Sequence, residues 1–367
     1  MSATKTSLAL IFGGQSPEHE VSIRSARNIF DAIPKEKYEI VLIGVDKAGI
    51  WKHLSEGELR QEGLSIEKAG KILAVVPGAK QQQIIYASRE EEGFPQIEVV
   101  FPITHGPYGE DGTLQGIFMH LGLPFVGPGV LGSAAAMDKD VCKRLLRDAD
   151  LKVAEYLCFQ YYEKEAIDYM AVVNKLGIPL FIKPANMGSS VGVSKAESKA
   201  EFDAAIQEAF RYDHKVIVEE AISGRELECA VMGNAIVETS HVGEVAVDPD
   251  AAGLYDYESK YISATAAQTL IPAPDLDDQI LAKLLLVAKN AYRVVGCEGM
   301  TRVDMFLTEE GHVYINELNT LPGFTSISMY PKLWEHAGTS YSDLIDHLIQ
   351  LAIERGGRDK KLEKSLA

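Results

Sequence analysis

The sequence predicts an α/β protein that continues into α+β units, three domains in all, and three observations carry that prediction. Strand-like apolar runs alternate with helical stretches over the first third of the chain. A cluster of turn formers, Leu123-Pro124-Phe125-Val126-Gly127-Pro128-Gly129, then interrupts the pattern. At 367 residues the chain is also longer than one compact core usually sustains. Within the first unit, residues 1–127, Ser7–Phe12 reads as a buried strand, followed by Gly13-Gly14 and a helix from about Ser16. Tyr38–Val45 is a second strand and Val99–Ile103 a third, the latter preceded by a polar stretch with several glutamines. That alternation implies a mainly parallel sheet.

The second unit spans 128–224. Asp138–Asp150 has helical character, and Ile178–Lys183 reads as a strand leading through a Gly/Ser loop into Val191–Ser194. Ser198 and Glu201 have capping-box spacing ahead of a helix running through Phe210. Val216–Glu220 is a further strand, broken by Ser223-Gly224. The third unit, 225–367, contains a strand at Leu227–Val231 and an aperiodic segment at 244–264. A helix near Asp278–Val294, two strands at 299–319 and a helix at Ser342–Arg355 follow. The final Arg358-Asp-Lys-Lys-Leu-Glu-Lys364 reads as a frayed tail, and no internal repeat is visible.

Composition narrows the function. A formal charge of −17 argues against nucleic acid, whose phosphates require a basic surface. It leaves open a nucleotide, which needs only a few lysines in one cleft. Cys142, Cys158, Cys229 and Cys297 are widely spaced and read as reduced packing residues. The N-terminal segment lacks a signal-peptide core, and no apolar run approaches membrane-spanning length. The expectation is a soluble cytoplasmic protein without nucleic-acid or membrane partners.

The most informative segment is 299–329. Two strand-like runs flank Glu309-Glu310-Gly311, a hairpin signal. Alternate strand residues share a face, so Arg302 pairs with Asp304, and Glu317 with Asn319. The register that would unite the pairs is not readable from sequence. Three oxygen ligands, Asp304, Glu317 and Asn319, suit a hard cation such as Mg²⁺. A solvated hairpin face accounts for the segment equally well.

Other segments have comparable double readings. Gly13-Gly14-Gln15-Ser16-Pro17-Glu18-His19-Glu20 lacks dinucleotide-binding spacing. Its local reading is helix capping, with Ser16 as N-cap and Pro17 in the first turn, and its functional reading has Glu18 holding an ammonium group. His105-Gly106-Pro107-Tyr108-Gly109-Glu110-Asp111-Gly112 follows a strand end, where ligands of open α/β sheets bind. The loop after Lys183, with Gly188, Ser189 and Ser190, offers small residues and N–H groups to phosphates. Lys183 itself ends an apolar strand, so burial requires an anionic partner for it. Lys139, at a helix start, reads as solvated when taken alone. Val216-Ile217-Val218-Glu219-Glu220-Ala221-Ile222 could offer backbone groups to a base, with Glu226 placed for a ribose. Tyr255–Tyr261 lies in the aperiodic stretch, which suits a lid.

In this order, these segments resemble the D-alanine–D-alanine ligases of the ATP-grasp superfamily. The resemblance rests on Gly-Gly-Gln-Ser-Pro-Glu-His-Glu-Val-Ser from residue 13 and His-Gly-Pro-Tyr-Gly-Glu-Asp-Gly-Thr-Leu-Gln-Gly from 105. It continues through Met137-Asp-Lys-Asp, Lys-Pro-Ala-Asn-Met-Gly-Ser-Ser-Val-Gly-Val-Ser from 183 and Tyr-Asp-Tyr-Glu-Ser-Lys-Tyr from 255. Asn-Glu-Leu-Asn-Thr-Leu-Pro-Gly-Phe-Thr from 316 completes it, and the likeness runs to about residue 355. Each motif is weak alone; six in order are specific.

The resemblance implies an ATP-grasp architecture with ATP held between the central and C-terminal domains. It implies phosphorylation of one D-alanine by ATP, attack of a second D-alanine on the acylphosphate, and a dipeptide for peptidoglycan synthesis. Asp304, Glu317 and Asn319 would hold Mg²⁺, two ions in the family, with Mn²⁺ able to substitute. Lys139, Lys183, Lys260 and the loop serines Ser189 and Ser190 would contact phosphates. Glu219, Glu220 and Ile222 would line adenine, and Glu226 the ribose. Arg302 and the Gly323 N–H would stabilise the oxyanion. Glu18 and His105 would face the first substrate, with Ser189 and Tyr261 linked to Glu18 as the lid closes. Ser328 and Met329 would contact the second substrate, although some relatives carry Leu where this chain has Met329. A homodimer is also implied.

Three alternatives remain at this stage. A ligase making D-alanyl-D-lactate is disfavoured by the Tyr257–Tyr261 stretch. An ATP-grasp enzyme for other acid–amine pairs is disfavoured by the Glu18 and His105 motifs. A non-catalytic nucleotide sensor would not need Arg302.

Overall fold

A computed structural model describes residues 5–79, 81–88, 93–247 and 267–363. Three sheets carry the described chain. The first is built on β1 (Thr6–Gly13), whose last six residues are all buried, as a strand covered on both faces should be. β2 (Tyr38–Val45) and β6 (Val99–Pro102) flank it in parallel. The mainly parallel reading holds for these three strands, which form the β6 half of the sheet. A second half is absent from the sequence reading: β3 (Trp51–Leu54), β4 (Lys71–Val75) and β5 (Ile84–Tyr86) add antiparallel at the β2 edge. Such short strands show no readable period. A short helix α2 (Glu56–Arg60) follows β3.

Helix α1 (His19–Ala32) begins later than expected, with Glu18 rather than Ser16 at the N-cap. The Ser16 hydroxyl accepts the Glu18 N–H at 3.0 Å and the Ser16 carbonyl accepts that of His19 at 3.1 Å. That turn keeps residues 16–18 outside the helix and sets Glu18 at the carboxyl end of β1. Helices α3 (Thr113–Leu121) and α4 (Val130–Met137) lead to α5 (Lys139–Asp148). Asp138 caps α5 by accepting the Val141 N–H at 3.0 Å.

The second sheet is antiparallel, in the order β7 (Tyr156–Gln160), β10 (Lys215–Glu220), β8 (Leu180–Pro184), β9 (Ser194–Ala196). Helices α6 (Tyr169–Leu176) and α7 (Lys199–Ala209) bury their apolar faces on it, and Ser198 with Glu201 closes the expected capping box. The strand expected at 191–194 starts only at Ser194. Ser189, Ser190 and Gly192 all have positive φ, which makes the preceding residues a tight loop instead.

The third sheet runs β13 (Ala267–Leu270), β12 (Val237–Val247), β11 (Arg225–Gly233), β14 (Gly299–Leu307), β15 (Val313–Asn319), antiparallel throughout. Helix α8 (Asp278–Val294) lies where expected, α9 (Met329–His336) is absent from the sequence reading, and α10 (Tyr341–Asp359) carries the helix expected at Ser342–Arg355 on into the segment read as a tail. One apolar cluster joins Leu8, Leu10 and Phe101 of the first sheet to Met300, Tyr330, Trp334 and Leu348 of the third unit. Arg355 on α10 reinforces that joint, donating to the carbonyls of Gly127 and Phe125 at 2.6 and 2.7 Å. The second sheet keeps its own cluster, centred on Ile182, Phe202 and Val218. Among the described residues no helix is long and apolar enough to cross a membrane.

Candidate active site

The β14–β15 register answers the question that the sequence left open. Asp304 stands opposite Glu317, and Arg302 opposite Asn319. All four side chains therefore share a face. A bulge follows immediately, because Met305 pairs with Ile315 and leaves Asn316 as the extra residue. The bulge turns Asn316 toward the same cleft, where its side-chain oxygen accepts from Lys183 Nζ at 3.3 Å.

The Arg302 guanidinium grips Asp304 with two bonds of 2.7 Å and lies 3.0 Å from Glu228 on the neighbouring strand β11. Burial acts against its charge, but Asp304 and Glu228 raise its pKa well beyond the usual value. Asn319 donates to Asp304 at 2.8 Å. Two carboxylates and an amide oxygen on one face are hard oxygen donors, and that donor set fits a hard divalent cation. Among the described residues there is no group of three or more His, Cys, Asp and Glu side chains arranged to hold a metal, so Asn319 is needed to complete the set.

Three lysines border this face. Lys139 donates to the Met187 carbonyl at 2.6 Å, across the loop after β8, and lies 3.6 Å from Glu317. Lys183 has the anionic partner that its burial demanded, Glu219 at 2.7 Å. Lys143, one turn along α5 from Lys139, is almost fully buried and lies 2.9 Å from the other Glu219 oxygen. Burial alone would raise the Glu219 pKa, but the two lysines reverse this and lower it to about 2. Glu220 points elsewhere, accepting the Glu155 N–H at 2.8 Å. Ile222 and Glu226 lie half-buried just beyond β10.

The opposite end of the cleft is acidic. Glu18 is 7% exposed and accepts a hydrogen bond from the Ser189 hydroxyl, which joins the second sheet's loop to the first unit. His105 donates from Nδ1 to the Leu321 carbonyl at 2.9 Å, since a carbonyl can only accept. Its Nε2 is buried with no hydrogen-bond partner among the described residues, and burial lowers its pKa. The imidazole is therefore neutral, with a lone pair facing inward. Glu110 accepts from the N–H groups of Gly106 and Leu321, both at 3.1 Å. Burial, with Glu18 adding to it, raises its pKa to about 8.

The remaining candidates are less directly placed. Gly323 packs so close to Ser328 that a Cβ there would lie 2.8 Å from its hydroxyl. Ser328 accepts from the Thr325 N–H at 3.0 Å at the start of α9. Met329 is 5% exposed within the core shared by the first and third sheets. Its thioether is thus spent on packing, which leaves its backbone as the group available to a ligand. Lys260 and Tyr261 lie outside the described residues. Lys143, Glu228, Glu110 and Asn316 were not singled out from sequence. Glu110 lies inside the quoted 105–112 motif, and Asn316 opens the final motif; Lys143 has only its spacing from Lys139 to mark it.

Comparison with known proteins now decides the family. Residues 7–128 match the family described as D-ala D-ala ligase N-terminus and residues 145–350 the D-ala D-ala ligase C-terminus. A D-alanine–D-alanine ligase of Shouchella clausii is 51% identical over 368 residues, covering 99% of this chain and 98% of its own length. The chain belongs to the D-alanine–D-alanine ligase family. The solved ligase from Coxiella burnetii superposes with a TM-score of 0.85 at 36% identity, covering 98% of this chain and 97% of that one. The VanG D-Ala:D-Ser ligase of Enterococcus faecalis gives the same TM-score at 37% identity, over 95% of this chain and 100% of that one. The multi-domain ATP-grasp fold is thereby established for the chain, and with it an ADP-forming ligase.

Proposed function

We propose that the protein joins two D-alanines to D-alanyl-D-alanine at the expense of ATP, supplying the dipeptide of peptidoglycan precursors. The observation that carries the reading is the face shared by Arg302, Asp304, Glu317 and Asn319, bordered by Lys139 and Lys183 and facing an acidic end at Glu18. Cations at one end suit phosphates, and a buried carboxylate at the other suits an ammonium group.

Glu18 holds the first D-alanine by its ammonium while Nε2 of neutral His105 accepts a second N–H. The carboxylate then lies toward the β14–β15 face, where Lys139 and Lys183 orient the ATP phosphates with Ser189, Ser190 and Lys260. Transfer of the γ-phosphoryl group gives the acylphosphate. The amine of the second D-alanine, placed by Ser328 and the Met329 backbone, attacks that carbonyl. Arg302 and the Gly323 N–H take up the negative charge of the tetrahedral intermediate, and phosphate leaves. Asp304, Glu317 and Asn319 would hold Mg²⁺, as two ions or with Mn²⁺ in its place, which neutralises phosphate charge when bound. Glu219 accepts from the adenine amino group, with Glu220 and Ile222 contributing main chain and Glu226 the ribose contact. Tyr261 joins Ser189 and Glu18 as the lid shuts, excluding water from the acylphosphate.

We infer three domains, 1–127, 128–224 and 225–367, with ATP between the second and third; the three sheets fall within those bounds. The same reading makes the protein a cytoplasmic homodimer. The test is phosphate release from ATP and Mg²⁺ with D-alanine, L-alanine, or D-alanine with D-lactate or D-serine, products being identified by mass. D-alanine-dependent release yielding D-alanyl-D-alanine is expected. Release that requires D-serine, or ATP binding without D-alanine-dependent release, would overturn the assignment. Sedimentation of the purified protein at twice the chain mass checks the dimer.

A further inference from the structure

We propose that Lys143 is a positioning residue that keeps Glu219 charged for recognition of the adenine amino group, so that base selectivity depends on a lysine that touches no substrate. This rests on the adenine role given to Glu219 above. A lysine buried to this degree needs an anion. Its side chain is 2% exposed, that of Glu219 is 4% exposed, and the two lie 2.9 Å apart. At 2.9 Å the ammonium occupies at most one lone-pair direction of Oε1, and a carboxylate oxygen has a second one with which to accept an N–H. Lys143 therefore supplies counter-charge to Oε1 while leaving that second direction to an N–H donor.

The second cation explains why Lys143 is needed. Lys183 sits 2.7 Å from the other oxygen, Oε2, and 3.3 Å from Asn316 on the cation-binding hairpin. When phosphates draw Lys183 toward them, Glu219 loses one of its two counter-charges. Without Lys143 it would then be a buried, uncompensated carboxylate, a state that proteins relieve by protonation. A protonated carboxyl both donates and accepts, so it no longer distinguishes a 6-amino base from a 6-oxo base. An ionised one accepts only, and it repels the carbonyl of the 6-oxo base.

The experiment compares ATP with inosine triphosphate as phosphoryl donor in the full-length enzyme, by kcat/KM for D-alanine-dependent phosphate release. Lys143→Met is expected to lower the ATP preference about tenfold, the worth of one charge-assisted hydrogen bond, and to do so mainly through KM for ATP. An unchanged preference, or a loss confined to kcat for both nucleotides alike, overturns the proposal. Glu219→Gln separates the two readings. If that variant keeps the parent's preference, the adenine role of Glu219 is wrong and the proposal falls with it; if it loses preference while Lys143→Met does not, only the proposal falls. Should Lys143→Met fail to fold, the Lys143→Met/Glu219→Gln double variant carries the test. It should match Glu219→Gln alone, because Lys143 acts only through Glu219, and any further change in preference refutes that dependence.

Discussion

Glu219 and Glu110 are both buried carboxylates in one cleft, and their surroundings drive them in opposite directions. Glu219 lies between Lys143 and Lys183 and its pKa falls to about 2. Glu110 lies near Glu18, accepts two backbone N–H groups, and its pKa rises to about 8. Burial acts the same way on both, so the neighbours decide the outcome. The cleft is thus polarised. One end sets lysines against carboxylates where phosphates are to bind, and the other brings the carboxyl groups of Glu18 and Glu110 together where an ammonium group is to bind.

The largest test of this contrast is at the boundary between the two ends, where Arg302 stands among Asp304, Glu228 and Asn319. Arg302→Ala is expected to reduce turnover by about 10²-fold or more while changing ATP affinity only slightly. Single-turnover kinetics beside nucleotide titration measures the two separately. Equal losses in both would move Arg302 from oxyanion stabilisation to nucleotide binding. The variant also removes the guanidinium that Glu228 and Asp304 share, so its melting temperature should fall as well.

A smaller effect is expected where the two ends are joined. The Ser189 hydroxyl donates to Glu18, linking the loop that is to cover phosphates with the carboxylate that is to hold the ammonium group. Ser189→Ala removes one hydrogen bond to a charged acceptor. KM for D-alanine at the first site should rise about tenfold, with little change in the unfolding free energy. Were KM to stay constant and the protein instead to lose stability, the bond would be a structural staple only.

The contrast also marks what could be read in advance. The hairpin, the cap at Ser198 and the helix at Asp278–Val294 depend on local pattern, and each stands where the sequence puts it. Lys183 could be assigned an unknown anion because burial of a lysine is costly wherever it occurs. Which anion it finds is a matter of β8 pairing with β10, a tertiary fact. Glu228 enters the site only because β11 lies beside β14, setting it opposite Asp304. Asn316 enters through a bulge, which no hydrophobic period announces. Lys143 looked like any polar position on a helix. The strands at 51–86 were missed for lack of length, and the onset of α1 was displaced because Ser16 closes a turn instead of capping.

The finest test uses the opposite pKa shifts themselves. Glu219 titrates in the folded protein near 2 against an ordinary 4.5, so the unfolded chain binds more protons between those values. Stability from this group is complete above 4.5 and is lost as pH falls through that window. Glu110 titrates near 8, so between 4.5 and 8 the folded protein holds the extra proton. Its contribution is complete below 4.5 and is lost as pH rises toward 8. Each group can impose a slope of at most about 1.4 kcal/mol per pH unit, one proton's worth. Urea unfolding across pH should show Glu219→Gln flattening the acid arm and Glu110→Gln the neutral arm. D-alanine sharpens the second half. Its ammonium, held at Glu18 and facing His105 and Glu110, favours the ionised carboxylate. Binding near neutral pH should therefore release a proton, visible by calorimetry in buffers of different ionisation enthalpy. Proton release that persists undiminished in Glu110→Gln would place the titrating group elsewhere and leave the acidic end without its stored proton.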